Sequence, residues 1–379
     1  MTQIKVDSVV NAAGSGKPDF SDGITVAGGA ISSLNLCQYT SSGTEPSSPK
    51  NGAIWWDTGN GKYKVYLNGE FKEIELGGSG AAATWYGDKA LIFGGLDSSS
   101  AKLNSIEKFT IQNSSTTASD FGDLTVAKAF NTGTSSGTRG VIIGGYGASQ
   151  TNTIEYVTIA TDGNATDYGD LTQARYGVAA TTNGTLASAM GGWDDTTSRV
   201  NIIDYWTIDT GGTAADQGDL SAAVNYGAGI GNDTYGVMAG GYRASGEANQ
   251  IEYFSWASLG SSTDTADLTV ARTAIGACSN DTYGIWMGGG LSRTNIIDRI
   301  TVSTQGNAAD HGDLTNGTRN YLAAVGNADY AVSVGGVNAS NVKTDHIEYV
   351  AFATSGNSTD IGDLVTGRQQ LGACSGSAS

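Results

Sequence analysis

The stretch Leu186-Ala187-Ser188-Ala189-Met190-Gly191-Gly192 decides the fold, because its pattern, an apolar run that ends in two glycines, occurs six times along the chain. Successive pairs are separated by 50, 47, 49, 48 and 47 residues. The pairs are Gly94-Gly95, Gly144-Gly145, Gly191-Gly192, Gly240-Gly241, Gly288-Gly289 and Gly335-Gly336. A pattern that recurs at this period predicts a repeat architecture.

Two further markers recur in phase with the glycine pairs. An isoleucine followed by an acid occurs at Ile106-Glu107, Ile154-Glu155, Ile203-Asp204, Ile251-Glu252, Ile297-Asp298 and Ile347-Glu348. The dipeptide Asp-Leu begins at Asp123, Asp170, Asp219, Asp267, Asp313 and Asp363. Three independent markers in phase six times indicate six copies of one structural unit.

Each unit divides into four predicted strands. In the third unit the first strand is residues 175–180, and Asn183-Gly184 forms the turn to a second strand, residues 186–190. The third strand is residues 202–208, and a fourth ends at Asp219. The glycine pair is expected where the second strand nears a crowded axis and a Cβ atom would clash.

Four strands in about 48 residues fit the kelch and WD40 repeats, and the Gly-Gly ending of the second strand resembles kelch. The WD40 signatures are missing, and the usual kelch Tyr–Trp pair does not recur. The last residues, 368–375, match residues 272–279 and supply a first strand that the first unit lacks. We therefore predict an all-β, six-bladed kelch-like β-propeller over residues 81–379, closed by the C-terminal strand.

Composition and charge indicate which classes of partner this protein is not expected to bind. The chain contains 56 glycines and 3 prolines, a composition that suits short strands and tight turns. Its formal net charge is −17. Residues 1–80 hold 6 lysines and 8 acids, so most of the negative charge lies on the propeller. Such a surface repels nucleic acid and anionic membranes. We expect neither nucleic-acid binding nor membrane insertion, since no apolar run is long enough for a span or a secretory signal.

The first 80 residues differ in kind from the repeats. Residues 1–44 are predicted to be extended, and residues 45–80 to form a small β-meander with strands 53–58, 62–67 and 70–74. Asn68-Gly69 is a strong hairpin signal. Thirty residues make a marginal domain alone, so we expect this region to lean on a partner or on its own copies.

The segment Pro46-x-x-Pro49-x-x-Gly52-x-x-Trp55, together with the hairpin at residues 65–70, resembles a module of tailed-phage fibre proteins. The propeller units resemble repeats in virion proteins of marine and cyanobacterial phages. This resemblance implies a virion structural protein that is made in the host cytoplasm. On this resemblance we expect attachment to other virion proteins through residues 1–80, a displayed propeller and a trimeric homo-oligomer. It leaves open whether the attachment point is tail, neck or head.

The loops after the glycine pairs are the variable part of each unit and are expected to gather on one face. Tyr146, Trp193 and Tyr242 begin three of these loops, with Asp194, Asp195 and Arg243 nearby. Exposed aromatic rings there would stack on a host-surface glycan and the polar groups would bind its hydroxyls. The alternative is that the rings pack against the next blade.

Repeated charged residues have structural and functional interpretations. Asp pairs three residues apart precede every Leu of the Asp-Leu marker and could hold calcium, but their sixfold recurrence favours hydrogen bonds to backbone N–H groups in the turns. A cation follows each marker except in the third unit, where Val224 stands. Pairing with the third-strand acids is favoured over a catalytic cluster. These cations are Lys128, Arg175, Arg272, Arg319 and Arg368.

No catalytic set is recognisable, so we expect no enzyme, cofactor or metal. His311 and His346 lie in no motif, and Cys37, Cys278 and Cys374 show no CxxC spacing. Cys278 and Cys374 occupy equivalent positions two blades apart and are expected to be buried thiols, in a protein that needs no disulfide. Two alternatives to host contact stay open: a purely architectural capsid or neck decoration protein, and a polysaccharide depolymerase with paired acids.

Overall fold

The computed structural model describes residues 85–377, apart from 195 and 197, together with six short strands nearer the N-terminus. Two compact units are present, Met1–Ala82 and Ala83–Ser379, with their boundary two residues beyond the predicted one. The described part of the second unit is all-β, and its main strands recur with the period of the glycine pairs. Among the described residues, no helix is long and apolar enough to cross a membrane.

The first unit contains an antiparallel pair and a four-stranded sheet. The pair is Thr25–Val26 with Gly29–Ala30. The sheet strands, in spatial order, are Gln38–Tyr39, Ile54–Asp57, Lys62–Leu67 and Glu70–Glu73. Leu67 pairs with Glu70, as the hairpin signal predicts. Because Gln38–Tyr39 pairs in parallel with the next strand, the sheet includes residues that precede position 45.

The second unit is a six-bladed β-propeller, in which each blade is an antiparallel sheet of four main strands. The inner strands of blades 1 to 6 are Gly372–Gly376, Thr132–Ser135, Ala179–Thr182, Ala228–Gly231, Gly276–Ser279 and Ala323–Gly326. The second strands are Lys89–Phe93, Arg139–Ile143, Leu186–Met190, Tyr235–Ala239, Tyr283–Met287 and Tyr330–Val334.

The two outer strands of each blade complete the sheets. The third strands are Ser105–Thr110, Thr153–Thr158, Ile202–Thr207, Gln250–Ser255, Ile296–Thr301 and His346–Ala351. The outer strands are Ser119–Asp123, Thr166–Asp170, Ala215–Asp219, Thr263–Asp267, Ala309–Asp313 and Thr359–Asp363.

Short elements lie beside the main strands of the blades. Three two-residue pairs lie beside the inner strands, and Thr116–Thr117 adds a parallel strand to the outer edge of blade 6. The pairs are Arg175–Tyr176 with Trp193–Asp194, Tyr242–Arg243 with Gly246–Glu247, and Arg319–Asn320 with Val337–Asn338. One 3-10 turn, Val302–Thr304, follows the third strand of blade 5.

The ring closes as the sequence predicts. The C-terminal strand Gly372–Gly376 pairs antiparallel with Lys89–Phe93 and forms the inner strand of blade 1. Both Cys278 and Cys374 are buried free thiols, which confirms their predicted state. Burial raises the pKa of Cys278 to about 12, so this thiol is unreactive at neutral pH.

The apolar core lies between the blades. Within residues 85–377, the described side chains form six buried apolar clusters, and each combines residues of two neighbouring blades. For example, Val141 and Ile143 of blade 2 pack with Ala187 and Trp206 of blade 3. Since a sheet buries both faces only when it has neighbours on both sides, no blade is expected to be stable alone.

The glycine pairs serve this contact between blades. The second glycine of each pair donates its backbone N–H to a carbonyl of the next blade's entry segment, as Gly241 does to Arg272 at 2.8 Å. Gly240 has a φ of +65°, and a Cβ atom there would lie 2.6 Å from the same carbonyl oxygen. The prediction that a Cβ atom would clash at this glycine is therefore confirmed, but the predicted location of the clash is wrong. The first strand, not the second, lies nearest the axis, and the glycines contact the neighbouring blade.

A second set of backbone hydrogen bonds joins the blades at their outer edge. A small residue in the loop before each outer strand donates its N–H to the Asp carbonyl of the preceding Asp-Leu marker. These donors are Ala118, Ala165, Ala214, Ser262, Ala308 and Ser358. A Cβ atom at Gly218 would lie 2.6 Å from the Ser261 nitrogen of this loop, which explains the glycine before most markers.

Candidate functional site

The repeated cations are structural, as the sequence analysis favoured. Arg175 is fully buried and pairs with the third-strand acid Asp204 at 2.6 Å, and its guanidinium also donates to the Gly191 carbonyl at 2.7 Å. Four equivalent pairs occur among the described residues. They are Lys128–Glu155, Arg272–Asp298, Arg319–Glu348 and Arg368–Glu107. Because each carboxylate is neutralised inside the blade, these acids are unsuited to paired-carboxylate catalysis.

The same acids also connect neighbouring blades. Asp204 accepts hydrogen bonds from the backbone N–H and the hydroxyl of Thr172, which follows the Asp-Leu marker of the preceding blade. Asp298 does the same with Thr269. The acid of the Ile-acid marker is thus a buried group that joins two neighbouring blades by an ion pair and hydrogen bonds.

In blade 4 the buried acid pairs with a cation from a different position, because Val224 stands where the other blades have their cation. Arg243, from the loop after the glycine pair, pairs with Glu252, and it also donates to the Ser221 hydroxyl at 3.2 Å. Burial alone would raise the pKa of Glu252, but donors from Ser221 and Ser262 together with Arg243 lower it. The position of Arg243 beside Tyr242 predicted a contact with sugar hydroxyls, and its role in this ion pair was not predicted.

The repeated Asp pairs bind backbone, as favoured, but at a different place. Asp216 accepts the N–H of Gly218 at 3.0 Å, and the equivalent bond occurs at Asp167, Asp310 and Asp360. These acceptors lie at a bulge within the outer strand, where the register with the third strand shifts, and not in the turn that follows.

His311 is also structural. Its side chain is buried, with Nε2 2.8 Å from the Ala351 carbonyl and Nδ1 3.2 Å from the Ser355 hydroxyl. Burial lowers the pKa of His311, so the ring is neutral near pH 7.

One mouth of the axial channel is bordered by a closed ring of backbone hydrogen bonds. Six equivalent residues, one per blade and two positions after the cation, each donate an N–H to the carbonyl of the equivalent residue in the preceding blade, at 2.7 to 3.0 Å. This mouth ring consists of Phe130, Gly177, Tyr226, Ala274, Tyr321 and Gln370. All six adopt positive φ, between 54° and 64°.

Aromatic side chains gather at this mouth. The aromatic cluster consists of Phe130, Tyr146, Tyr176, Tyr226 and Tyr321. Ring centroids of contacting members lie 5.4 to 6.3 Å apart. Burial raises the pKa of Tyr226, and the neighbouring tyrosines raise it further, so its hydroxyl stays protonated. Beneath the cluster lies a cavity of about 110 Å³ lined by the starts of the inner strands.

The three predicted sugar-contact residues are half-buried, and one of them, Tyr146, belongs to this cluster. Tyr146 contacts Tyr176 and lies under the Lys102 ammonium, 4.4 Å from the ring centroid. The Arg199 guanidinium lies 4.9 Å from the Trp193 ring and 4.8 Å from the Tyr242 ring of the next blade. Packing between blades therefore accounts for much of their surface, and only their remaining edges face solvent.

The neighbouring polar residues are placed as follows. Asp194 is buried and its carboxylate accepts the N–H groups of Thr196 and Ser198, which shapes its own loop. Burial would raise the pKa of Asp194, but these bonds together lower it. Asp195 lies outside the described residues.

The two faces of the propeller differ. The upper face carries the mouth ring, the loops after the glycine pairs and the connections between blades. All large apolar side chains that are exposed among the described residues lie there: Val126, Val270, Leu291, Val342 and Val365. On the lower face, Trp85 is buried at the opposite mouth and Tyr86 donates to Asp281 at 2.8 Å, so the chain enters the propeller on this side.

Sequence analysis missed the aromatic cluster. The signal was available in the alignment of the repeats, because the residue two positions after the cation is aromatic in three units and variable in the rest. The side chain at this position reaches the mouth because its backbone has a positive φ, and the sequence of a single repeat does not show this conformation. Comparisons with models of protein families and with curated proteins gave no match.

Proposed function

We propose that this chain is a non-enzymatic virion protein of a tailed phage that displays a kelch-like propeller for contact with a host-surface glycan. The observation that carries the proposal is the aromatic cluster at the upper mouth, on the face opposite the point where the chain enters the propeller. Residues 1–80 would attach to other virion proteins, and their resemblance to phage fibre modules favours a trimer on the particle.

The backbone of the mouth ring supports a binding role for its side chains. Gly177 shows that glycine fits the ring, yet Phe130, Tyr226 and Tyr321 adopt positive φ there. A left-handed conformation costs a non-glycine residue about 1–2 kcal/mol. Ala274 and Gln370 adopt the same conformation, so the cost alone does not require an aromatic side chain. The support for a binding role is that the rings of Phe130, Tyr226 and Tyr321 meet one another at the mouth.

The shape of the mouth favours stacking on the surface over burial of a ligand. Small-molecule pockets usually enclose roughly 300–1,000 Å³, whereas this cavity holds about 110 Å³. A sugar ring would lie on the exposed edges of Tyr321 and Tyr226, with the acidic surface excluding anionic polymers. We therefore expect a neutral glycan.

The test uses the full-length protein with host cells and purified neutral host polysaccharide, recording binding and polymer length. Tyr321→Asn removes one ring and keeps a residue that tolerates positive φ. We expect binding to weaken about two- to tenfold, since an aromatic contact contributes about 0.5–1.5 kcal/mol. Gln370→Asn, at the adjacent position of the mouth ring, is the control and should bind as the unchanged protein does.

Three results would overturn the proposal. Shortening of the polymer would indicate a depolymerase, and absence of binding would favour an architectural decoration protein. Absence of the chain from purified particles, measured by mass spectrometry, would remove the virion assignment.

A further inference from the structure

The upper edge of blade 6 departs from the repeat at two adjacent positions, and both changes introduce a side chain that can bind a metal. The residue before the third strand is Asp345 in blade 6, but asparagine in the other five: Asn104, Asn152, Asn201, Asn249 and Asn295. The next residue is His346, whereas the other blades have Ser105, Thr153, Ile202, Gln250 and Ile296.

The fold brings these two residues to the Asp of the last Asp-Leu marker. His346 pairs across the sheet with Asp363, in the register that every blade uses at this point. One ligand atom from each of Asp345, His346 and Asp363 lies within 4.8 Å of the others. The marker Asp is common to all blades, so it is the two substitutions that create the group.

His346 Nδ1 has no hydrogen-bond partner, although this atom is buried. It lies 3.7 Å from Asp363 Oδ1 and 3.9 Å from Asp360 Oδ2, which is too far for a hydrogen bond. Asp360 is already engaged, because it accepts the Gly362 N–H at 3.0 Å and the Asn316 amide at 2.6 Å. A buried nitrogen without a partner among carboxylates suits a cation between them.

We propose that Asp345, His346 and Asp363 bind one divalent transition-metal cation, for which Zn²⁺ is the best match. One imidazole and two carboxylates are a zinc-type ligand set, whereas calcium and magnesium prefer oxygen ligands alone. Ligand atoms around Zn²⁺ lie roughly 3.4 Å apart, given bonds of about 2.1 Å. Asp345 and His346 are half-buried and Asp363 is exposed, so their side chains can rotate towards this separation.

Three protein ligands leave at least one coordination position for water or an external oxygen ligand. Asp363 is exposed over 63% of its side chain, so that position opens to solvent on the upper face. The site is independent of the proposed glycan contact, because it shares no residue with the aromatic cluster.

The test is a titration of the untagged, chelator-treated full-length protein with ZnCl₂, followed by calorimetry and by metal analysis after gel filtration. Two variants restore residues that other blades carry: Asp345→Asn and His346→Gln. Both should fold normally, which far-UV circular dichroism and a urea titration would verify. Asp267→Asn in blade 4 is the matched control, since it alters the marker Asp where no histidine is opposite.

We expect one Zn²⁺ per chain, affinity reduced more than about tenfold in both variants, and unchanged affinity in the control. Titration with CoCl₂ should give visible absorption that His346→Gln abolishes. No saturable binding would show that His346 and Asp363 form a cross-strand ion pair only. Zinc binding that both variants leave unchanged would place the metal elsewhere, and either result overturns the proposal.

Discussion

Arg243 and Glu252 form the ion pair of blade 4, and the guanidinium comes from a different element than in the other blades. Elsewhere the cation precedes the inner strand, but Val224 stands at that position. Glu252 is buried and also accepts the backbone N–H of Ser221 at 2.8 Å. Removal of Arg243 would leave a buried carboxylate without its cation, which is the costly way to break such a pair.

We predict that Arg243→Ala lowers the free energy of unfolding by about 3 kcal/mol, measured by urea titration. Adding Val224→Arg should restore most of the loss, because it supplies the cation from the position that five blades use. Arg293→Ala, in the corresponding loop of blade 5, is the control and should cost less than about 1 kcal/mol. Failure of Val224→Arg to rescue would mean that the two positions are not interchangeable.

At the scale of elements, the contact between blades depends on the turn that ends each second strand. In blade 4 this turn brings Gly240 and Gly241 against the carbonyl of Arg272, which begins blade 5. The close approach allows the second glycine to donate its hydrogen bond, and it leaves no room for a Cβ atom at the first. The turn therefore fixes both the blade spacing and the identity of the residue.

We predict that Gly240→Ala lowers the free energy of unfolding by about 3 kcal/mol, since it adds backbone strain to a steric clash. Gly260→Ala lies in the same blade, where a Cβ atom would meet nothing within 4 Å. It should be nearly neutral or slightly stabilising. Equal effects of the two substitutions on the urea midpoint would contradict this account.

At the scale of the whole molecule, closure depends on a strand from the far end of the chain. Residues 372–376 complete blade 1, and Cys374 packs with Leu91 and Ile142 in the core between blades 1 and 2. Gln370 completes the mouth ring by hydrogen bonds to Tyr321 and Phe130. Loss of residues 371–379 would remove the inner strand of blade 1 and leave Lys89–Phe93 as an unpaired sheet edge.

We predict that removal of residues 371–379 abolishes the cooperative unfolding transition and causes aggregation. Circular dichroism during a urea titration and gel filtration would measure the two effects. Removal of residues 378–379 alone is the control, and it should leave the transition unchanged. A truncated protein with the original urea midpoint would show that blade 1 is stable without its inner strand.

The order of the strands, the number of blades and the closing role of residues 368–375 follow from the sequence alone. They do so because each blade repeats the same sequence markers and strand pattern, and six copies in phase make that pattern recognisable. The buried cation–acid pairs were predictable for the same reason, since Arg175 and Asp204 recur with their neighbours. The proposed function of residues 1–80 stays a prediction from resemblance.

Only the tertiary structure shows what depends on departures from the repeat and on contacts between repeats. Arg243 replaces a missing cation from another loop, and the aromatic rings of Phe130 and Tyr226 meet although 96 residues separate them. Asp345 and His346 reach Asp363 through strand register. The aromatic cluster forms because the closed ring brings equivalent positions of different blades to one mouth. The other two groups form within one blade, through the placement of a loop and through strand register. Neither kind of contact leaves a local pattern in the chain.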